Sequence, residues 1–494
     1  MTLLGRRPWH EGLTAAAGRA AEDADERYHP AGGLRSAVNK VFPSHFSFLF
    51  GEIAMYSFIV LVLSGTYLAL FFDPSMSETT YNGPFSNLRG VDVSQAFAST
   101  LNISFELRGG LFARQLHHWA ALAFVAAIVV HLLRIFFTGA FRKPREGNWL
   151  IGVVLLGLAV AEGFMGYSLP DDELSGGGLR IMSGMLLSVP VIGTWLHWLV
   201  FGGEFPGAVI IPRLYAAHIL LVPGLLIGLI AVHVGFVWYQ KHTHFPARRQ
   251  TERNVIGQRF VPVFVSHSLV LQLCVLGVLA LLAGLAQINP VFNYGPYSPA
   301  HGSVGSQPDW YLGFVEGALR LWPSWDLPLG RYEIPAAFWP GIVLPVLVTV
   351  AVAAYPFAER KLTGDLALHN LLERPRDNPL RTALGMLGVT FYLWLLLAGG
   401  DDVIAYRLQV PIEELVWIGR VGVVVMPLLA YWLTYRTCRR LQTRDRQLLA
   451  LGVSTGVVRR RPDGTYVLLR RPLGDQQEPL PAAEPARQQA RAND

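Results

Sequence analysis

Four histidines stand where histidine is rare, inside long apolar runs. Residues 111–137 carry His117 and His131, and residues 213–239 carry His218 and His233. Each run exceeds the roughly 20 residues that cross a bilayer as one helix. Fourteen residues separate the first pair and fifteen the second. At 100° per residue the first pair lies about 40° apart around its axis and about 21 Å apart along it; the second again shares one broad face, about 22 Å apart. Two such helices facing one another could hold two metal centres, stacked across the membrane. Imidazole in hydrocarbon needs a partner, and haem iron accepts one from each side. A lone histidine in an apolar helix is more often a hydrogen-bonded packing residue. Repetition of the spacing on two helices points instead to paired axial ligands. Arg114 and Arg213 precede His117 and His218 by three and five residues, so fixed cations suited to haem propionates stand at the level of the first histidines.

The rest of the chain supplies the elements that position these side chains. With 494 residues, 52% hydrophobic and 15% charged, and a mean hydropathy of +0.35, it reads as a polytopic membrane protein and not as a soluble enzyme. Runs of spanning length fall at 48–72 (α1), 111–137 (α2), 149–169 (α3), 213–239 (α4), 262–287 (α5), 338–355 (α6), 382–398 (α7) and 416–435 (α8). The expected fold is all-α with eight transmembrane helices: a four-helix di-haem bundle, α1–α4, followed by α5–α8. An even number of spans puts both termini on one side. Cations collect in alternate connections: Arg142, Lys143 and Arg145; Lys241, Arg248, Arg249, Arg253 and Arg259; Arg360, Lys361, Arg374 and Arg376. The other connections carry Asp171, Asp172, Glu173, Asp309, Asp401 and Asp402. By the positive-inside rule the cation-rich loops and both termini are cytoplasmic, and the chain is a multi-pass protein of the cell membrane. The net charge of +6 is therefore a matter of topology, not a sign of nucleic acid. Helices α2 and α4 then run the same way, which pairs His117 with His218 at the outer level and His131 with His233 at the inner level.

Two cysteines, Cys274 and Cys438, exclude a disulfide framework, an iron–sulfur cluster within the chain and a Cys-x-x-Cys-His attachment for c-type haem. No cleavable signal peptide is expected, because the first apolar run is preceded by a polar, mixed-charge tail. The expected units are a cytoplasmic tail (1–46), the di-haem bundle (47–245), the second set of helices (246–437) and a basic tail (438–494). Residues 457–471 of that tail suggest a small hairpin around Pro462-Asp463-Gly464, with disorder beyond Leu473. The segment 179–203 is too broken by Pro190 and glycines to span and is expected to form short interfacial helices, with Trp195 and Trp198 at headgroup depth. Gly51 and Gly65 on α1, and Gly152 and Gly166 on α3, repeat the fourteen-residue period. A backbone that closely approaches a flat cofactor favours a residue without Cβ.

Arg114-x2-His117, His131-x2-Arg134, Arg213-x4-His218, His233, the two glycine pairs, Gly166-Tyr-Ser-Leu-Pro170, the segment 178–193 and Pro308-Asp-Trp-Tyr311 together carry a resemblance. Over residues 40–436 the chain resembles cytochrome b, the membrane core of cytochrome bc complexes, and within that family the actinobacterial branch, which uses menaquinol. The resemblance implies a low-potential b haem on His117 and His218, a high-potential one on His131 and His233, and propionates at Arg114 and Arg134. It implies an outer quinol-oxidising pocket bordered by Gly178 and its segment and by Pro308, Asp309, Trp310 and Tyr311, with Asp309 and Tyr311 catalytic. The family commonly has Glu where Asp309 stands. The inner quinone pocket matches poorly: Trp238 and Tyr239 follow His233 where many relatives have a histidine, and α5 is entered through Arg259-Phe-Val-Pro. Implied partners are a Rieske iron–sulfur subunit, a cytochrome c subunit, a second copy of the complex, a terminal oxidase and membrane lipid. Two alternatives stay open from the residues alone, a di-haem anchor for a bound dehydrogenase and a transporter or channel whose histidines relay protons.

The topology is testable by cysteine labelling in intact cells. A cysteine at Ser303 is expected to react with an impermeant reagent from outside and one at Arg248 to be silent; the reverse would exchange the two sides of every assignment above.

Overall fold

The structure, a computed structural model, describes residues 18–20, 22–23, 25–28, 30–247, 249–301 and 307–471. Arg248, Ser303 and the stretch beyond Leu473 lie outside the described residues. Among those described, eight helices are long and apolar enough to span a membrane: α1 Phe46–Ala69, α2 Gly110–Phe137, α3 Glu146–Ser168, α4 Ile210–Gln240, α5 Phe260–Leu285, α6 Trp339–Thr363, α7 Pro379–Gly399 and α8 Ile412–Leu451. Hydrocarbon offers the backbone no hydrogen-bond partner, so an apolar run of this length satisfies its own amides as a helix. Two ends differ from expectation. Helix α6 continues to Thr363 and α8 to Leu451, well past the apolar stretches. The extra turns are rich in Arg, Leu, Gln and Lys, which favour helix wherever the chain meets water. The α8 extension is also tied down, since Gln442 donates to the Asp377 carbonyl at 3.1 Å and Asp445 lies 3.0 Å from Arg376. The expected basic tail therefore begins as helix. Further along it forms the expected hairpin, Val453–Arg460 pairing antiparallel with Tyr466–Arg471.

Helix α1 packs chiefly on α2, α3 on α4, and α7 on α8, while α5 lies against α1 and α2. Only 11% of the apolar windows of α4, α5 and α6 is buried within the chain, against 28% for α1 and α7. The first three therefore present most of their surface to lipid or to another subunit. The interrupted segment forms two helices, Glu173–Leu187 and Gly193–Phe201. Trp195 and Trp198 are exposed on the second, as interfacial anchors would be. A hairpin, Glu78–Thr80 with Asp92–Ser94, and a buried helix, Gln95–Phe105, occupy the α1–α2 connection.

At the end of the molecule bearing the cation-rich loops, an ion network fastens the two halves of the chain. Arg381 at the start of α7 is 1% exposed. It pairs with Glu359 of α6 and with Glu373. Arg142, from the α2–α3 loop, reaches the other oxygen of Glu373 at 2.7 Å, and Arg360 reaches Glu146 of α3 at 2.9 Å. Arg381→Leu would strand the Glu359 carboxylate and leave Glu373 with Arg142 alone. We expect a loss of about 3–5 kcal/mol, the usual cost of unpairing a buried ion, read as a lower Tm of the purified complex; an unchanged Tm would show that the network adds no stability.

Candidate functional site

Helices α2 and α4 stand on opposite sides of the first bundle and bring the four histidines together in pairs. The His117 and His218 ring centres are 6.2 Å apart with planes at 79°. Those of His131 and His233 are 6.4 Å apart at 72°. One first-row metal bound by two imidazole nitrogens at about 2 Å each sets the ring centres roughly 6.4 Å apart. Both pairs thus have the spacing of two axial ligands with a metal between them. No group of three or more His, Cys, Asp or Glu gathers as a metal site among the described residues. Each pair supplies two ligands only, which suits iron already held in a macrocycle.

The unequal spacings on the two helices are reconciled by a local feature. Residues Ala217–Leu221 of α4 form one wide π turn, with His218 inside it. Such a turn absorbs an extra residue, so fifteen residues on α4 present their two ends much as fourteen do on α2. Hydrogen bonds then orient the rings unequally. Ser64 Oγ lies 3.0 Å from His117 Nδ1. His218 Nδ1 lies 3.0 Å from Glu162 Oε1 and 3.2 Å from the Glu162 carbonyl. Partners of this kind set the tautomer and ring plane of a metal-bound histidine. The Nδ1 atoms of His131 and His233 are buried without a hydrogen-bond partner. Glu162 was not singled out from the sequence, although a carboxyl within an apolar run is the usual signal of a functional group.

The glycines touch the imidazoles themselves. A Cβ at Gly51 would lie 3.1 Å from His131 Cε1, at Gly65 3.0 Å from His117 Cε1, and at Gly166 2.5 Å from His218 Cε1. Gly152 is less constrained, 3.9 Å from His233 Cε1. The cations divide. Arg114 reaches the Asn289 carbonyl at 3.3 Å and leaves Nε buried and unpaired. Arg134 lies over the Phe48 ring, 4.4 Å from its centre, with Nε and one terminal nitrogen unpaired. Orphaned donors at these two positions fit a carboxylate-bearing group that the chain itself does not supply. Arg213 is spent elsewhere: it donates to the Leu199 carbonyl at 2.7 Å and closes the end of the helix Gly193–Phe201.

The Pro308–Tyr311 loop lies against the His117 end of α2. Asp309, with a side chain 8% exposed, has its two oxygens 2.9 and 3.0 Å from His118 Nε2. Tyr311 donates to Asp309 Oδ2 at 3.0 Å. Burial first, and then the charge of Asp309, hold the Tyr311 phenol well above its ordinary range, so it stays a donor. The Tyr311 ring fills a core cluster with Ala54, Phe124 and Ala159, and Trp310 packs at its edge. Gly163 makes room for it, because a Cβ there would meet Tyr311 Oη at 2.3 Å. Gly178 abuts Tyr167, 3.2 Å from a Cβ to Tyr167 Cε1, and Tyr167 donates to the Leu174 carbonyl at 3.0 Å. Nearby, burial pushes the Asp171 and Asp172 carboxyls up to about 6, and Asp172 caps the helix Glu173–Leu187. Sequence reasoning passed over His118 and Gly163; the doubled histidine at 117–118 was the one available signal.

Eight spans with stacked imidazole pairs on the second and fourth define a class, the helical membrane protein with paired intramembrane histidines. Residues 122–296, which include His131, His218 and His233, match the family described as cytochrome b (N-terminal)/b6/petB. The chain is 55% identical over 467 residues to the cytochrome bc1 complex cytochrome b subunit of Mycobacterium leprae, covering 94% of this chain and 85% of the relative. It is 55% identical to that of Corynebacterium diphtheriae, covering 93% and 86%, and 45% identical to that of Streptomyces coelicolor, covering 94% and 86%. A solved chain described as hyperthermophilic respiratory Complex III shares the fold, with a TM-score of 0.60 and 20% identity over 83% of this chain and 99% of that one. The chain belongs to the family of cytochrome b subunits of cytochrome bc1 complexes. That membership sets aside the anchor and transporter alternatives.

Proposed function

We propose that the chain is the cytochrome b subunit of a respiratory quinol:cytochrome c reductase that oxidises menaquinol at the outer face of the cell membrane and reduces quinone at the inner face. The observation that carries this reading is the stacking of two facing imidazole pairs beneath a loop that presents a buried carboxylate. Two b-type haems, when bound, supply one-electron carriage between the two faces. His117 and His218 would hold the outer haem, His131 and His233 the inner one. Arg114 and Arg134 would offer their unpaired N–H groups to propionates. Gly51, Gly65 and Gly166 keep α1 and α3 close to the rings, and Gly152 marks the fourth approach.

At the outer face Pro308, Asp309, Trp310 and Tyr311 line the quinol pocket together with the helix that bears Gly178. Quinol oxidation releases two electrons and two protons. The Asp309 carboxylate, aimed by its donors, takes a proton from the quinol hydroxyl. Tyr311, held protonated, fixes that carboxylate. Proton release outside and uptake inside build the gradient. The two cysteines offer no iron–sulfur or c-haem ligand set. A Rieske subunit and a cytochrome c subunit therefore act as separate chains, in a dimeric complex that further engages a terminal oxidase. Residues 47–245 form the di-haem unit and 246–437 carry the quinol loop, flanked by cytoplasmic tails 1–46 and 438–494.

His117→Ala or His218→Ala is expected to remove the outer haem, and His131→Ala or His233→Ala the inner one, in reduced-minus-oxidised spectra with haem counted per polypeptide. Two six-coordinate b haems in all four variants would end the assignment. Asp309→Asn preserves volume and removes the base, so quinol:cytochrome c turnover in membranes is expected to fall about 10²-fold or more with both haems spectroscopically normal, while Asp309→Glu retains activity. Wild-type turnover of Asp309→Asn at every pH would move the proton acceptor elsewhere.

A further inference from the structure

His118 follows His117 in sequence, yet successive residues of a helix point about 100° apart, and this imidazole leaves the metal-facing side of α2 for the loop. Its Nε2 lies 2.9 Å from one oxygen of Asp309 and 3.0 Å from the other. The side chains are 15% and 8% exposed, so water competes little for the contact. An ionised carboxylate only accepts hydrogen bonds, so Nε2 carries the hydrogen and His118 donates. The other donor, Tyr311, belongs to the same loop two residues on. With Tyr311 alone, the carboxylate would be held through only one of its oxygens. His118 ties it to a 28-residue helix that also carries His117 and His131.

We propose that His118 is a positioning residue of the outer quinol pocket: from α2 it fixes the Asp309 carboxylate in the orientation that meets the quinol hydroxyl. The proposal rests on the reading of Asp309 as the proton acceptor. His118 acts as a hydrogen-bond donor to that carboxylate. A group displaced by about 1 Å from its working geometry costs on the order of 10²-fold in rate. Loss of the tie is therefore expected in kcat, with KM for quinol little changed.

The experiment is a mutant cycle in membranes containing the whole complex, assayed with a short-chain menaquinol analogue and cytochrome c. His118→Leu removes the donor and is expected to lower kcat about 10- to 100-fold, with both haems intact by spectrum. His118→Gln places an amide nitrogen as many bonds from Cβ as Nε2 and is expected to restore turnover, whereas His118→Asn falls one bond short and is not. If His118 acts through Asp309, adding His118→Leu to Asp309→Asn costs nothing further. Wild-type turnover in Asp309→Asn defeats the reading of Asp309, and this proposal with it. A loss in Asp309→Asn that multiplies with that of His118→Leu, or wild-type turnover in His118→Leu, overturns the positioning role and leaves Asp309 standing. Should His118→Leu fail to assemble, the comparison of Gln with Asn decides: restored turnover with Gln alone supports the proposal, and equal turnover in the two overturns it.

Discussion

The structure depends on one constraint, that hydrocarbon supplies no partner for a polar group. The helices answer it for the backbone. For side chains it means that each imidazole, guanidinium and carboxyl within the spans must be matched by another element of the chain or by a bound group. His117 and His218 find partners in Ser64 and Glu162 through one ring nitrogen, which keeps the other available. Arg114 and Arg134 retain buried donors without acceptors, and such donors are tolerable only where a bound group completes them. The polar inventory of the first bundle is thus shaped around what it would hold.

The same constraint joins the second half of the chain to the first. Tyr311 enters the core of the first bundle, where Gly163 leaves space for its hydroxyl. Asp309, beside it, is shielded from water and held by donors from both halves. A carboxylate placed this way sits next to the level of the His117–His218 pair without touching it. Under the proposed function, that arrangement would keep proton chemistry and electron carriage adjacent but separate. At the other end, Arg142 with Glu373 and Arg360 with Glu146 give the two halves a second point of attachment. Fastened at both ends, the first bundle and the loop that caps it keep a common geometry.

Much of this was legible in the sequence. Apolar run length predicts all eight spans, since about 20 residues match the bilayer whatever the rest of the chain does. The parity of those spans pairs the histidines correctly in space. The tetrad at 308–311 and the glycine period also stand out, because each is a pattern within one short stretch. The ends of α6 and α8 did not, because hydropathy marks where a helix leaves lipid and not where it stops.

Tertiary structure decided the rest. The fifteen-residue spacing on α4 looks like a mismatch until the wide turn at Ala217–Leu221 takes up the odd residue, and that turn is a departure from ideal periodicity which a helical count cannot contain. Arg213 has the spacing of a propionate ligand but closes a neighbouring helix instead, because Leu199 arrives beside it only after the chain has folded back. His118 and Asp309 are 191 residues apart. Periodicity and hydropathy act over a turn or a span, and so they are written locally in the residues; which donor meets which acceptor across such a distance is settled only when packing brings the loop down onto the helix.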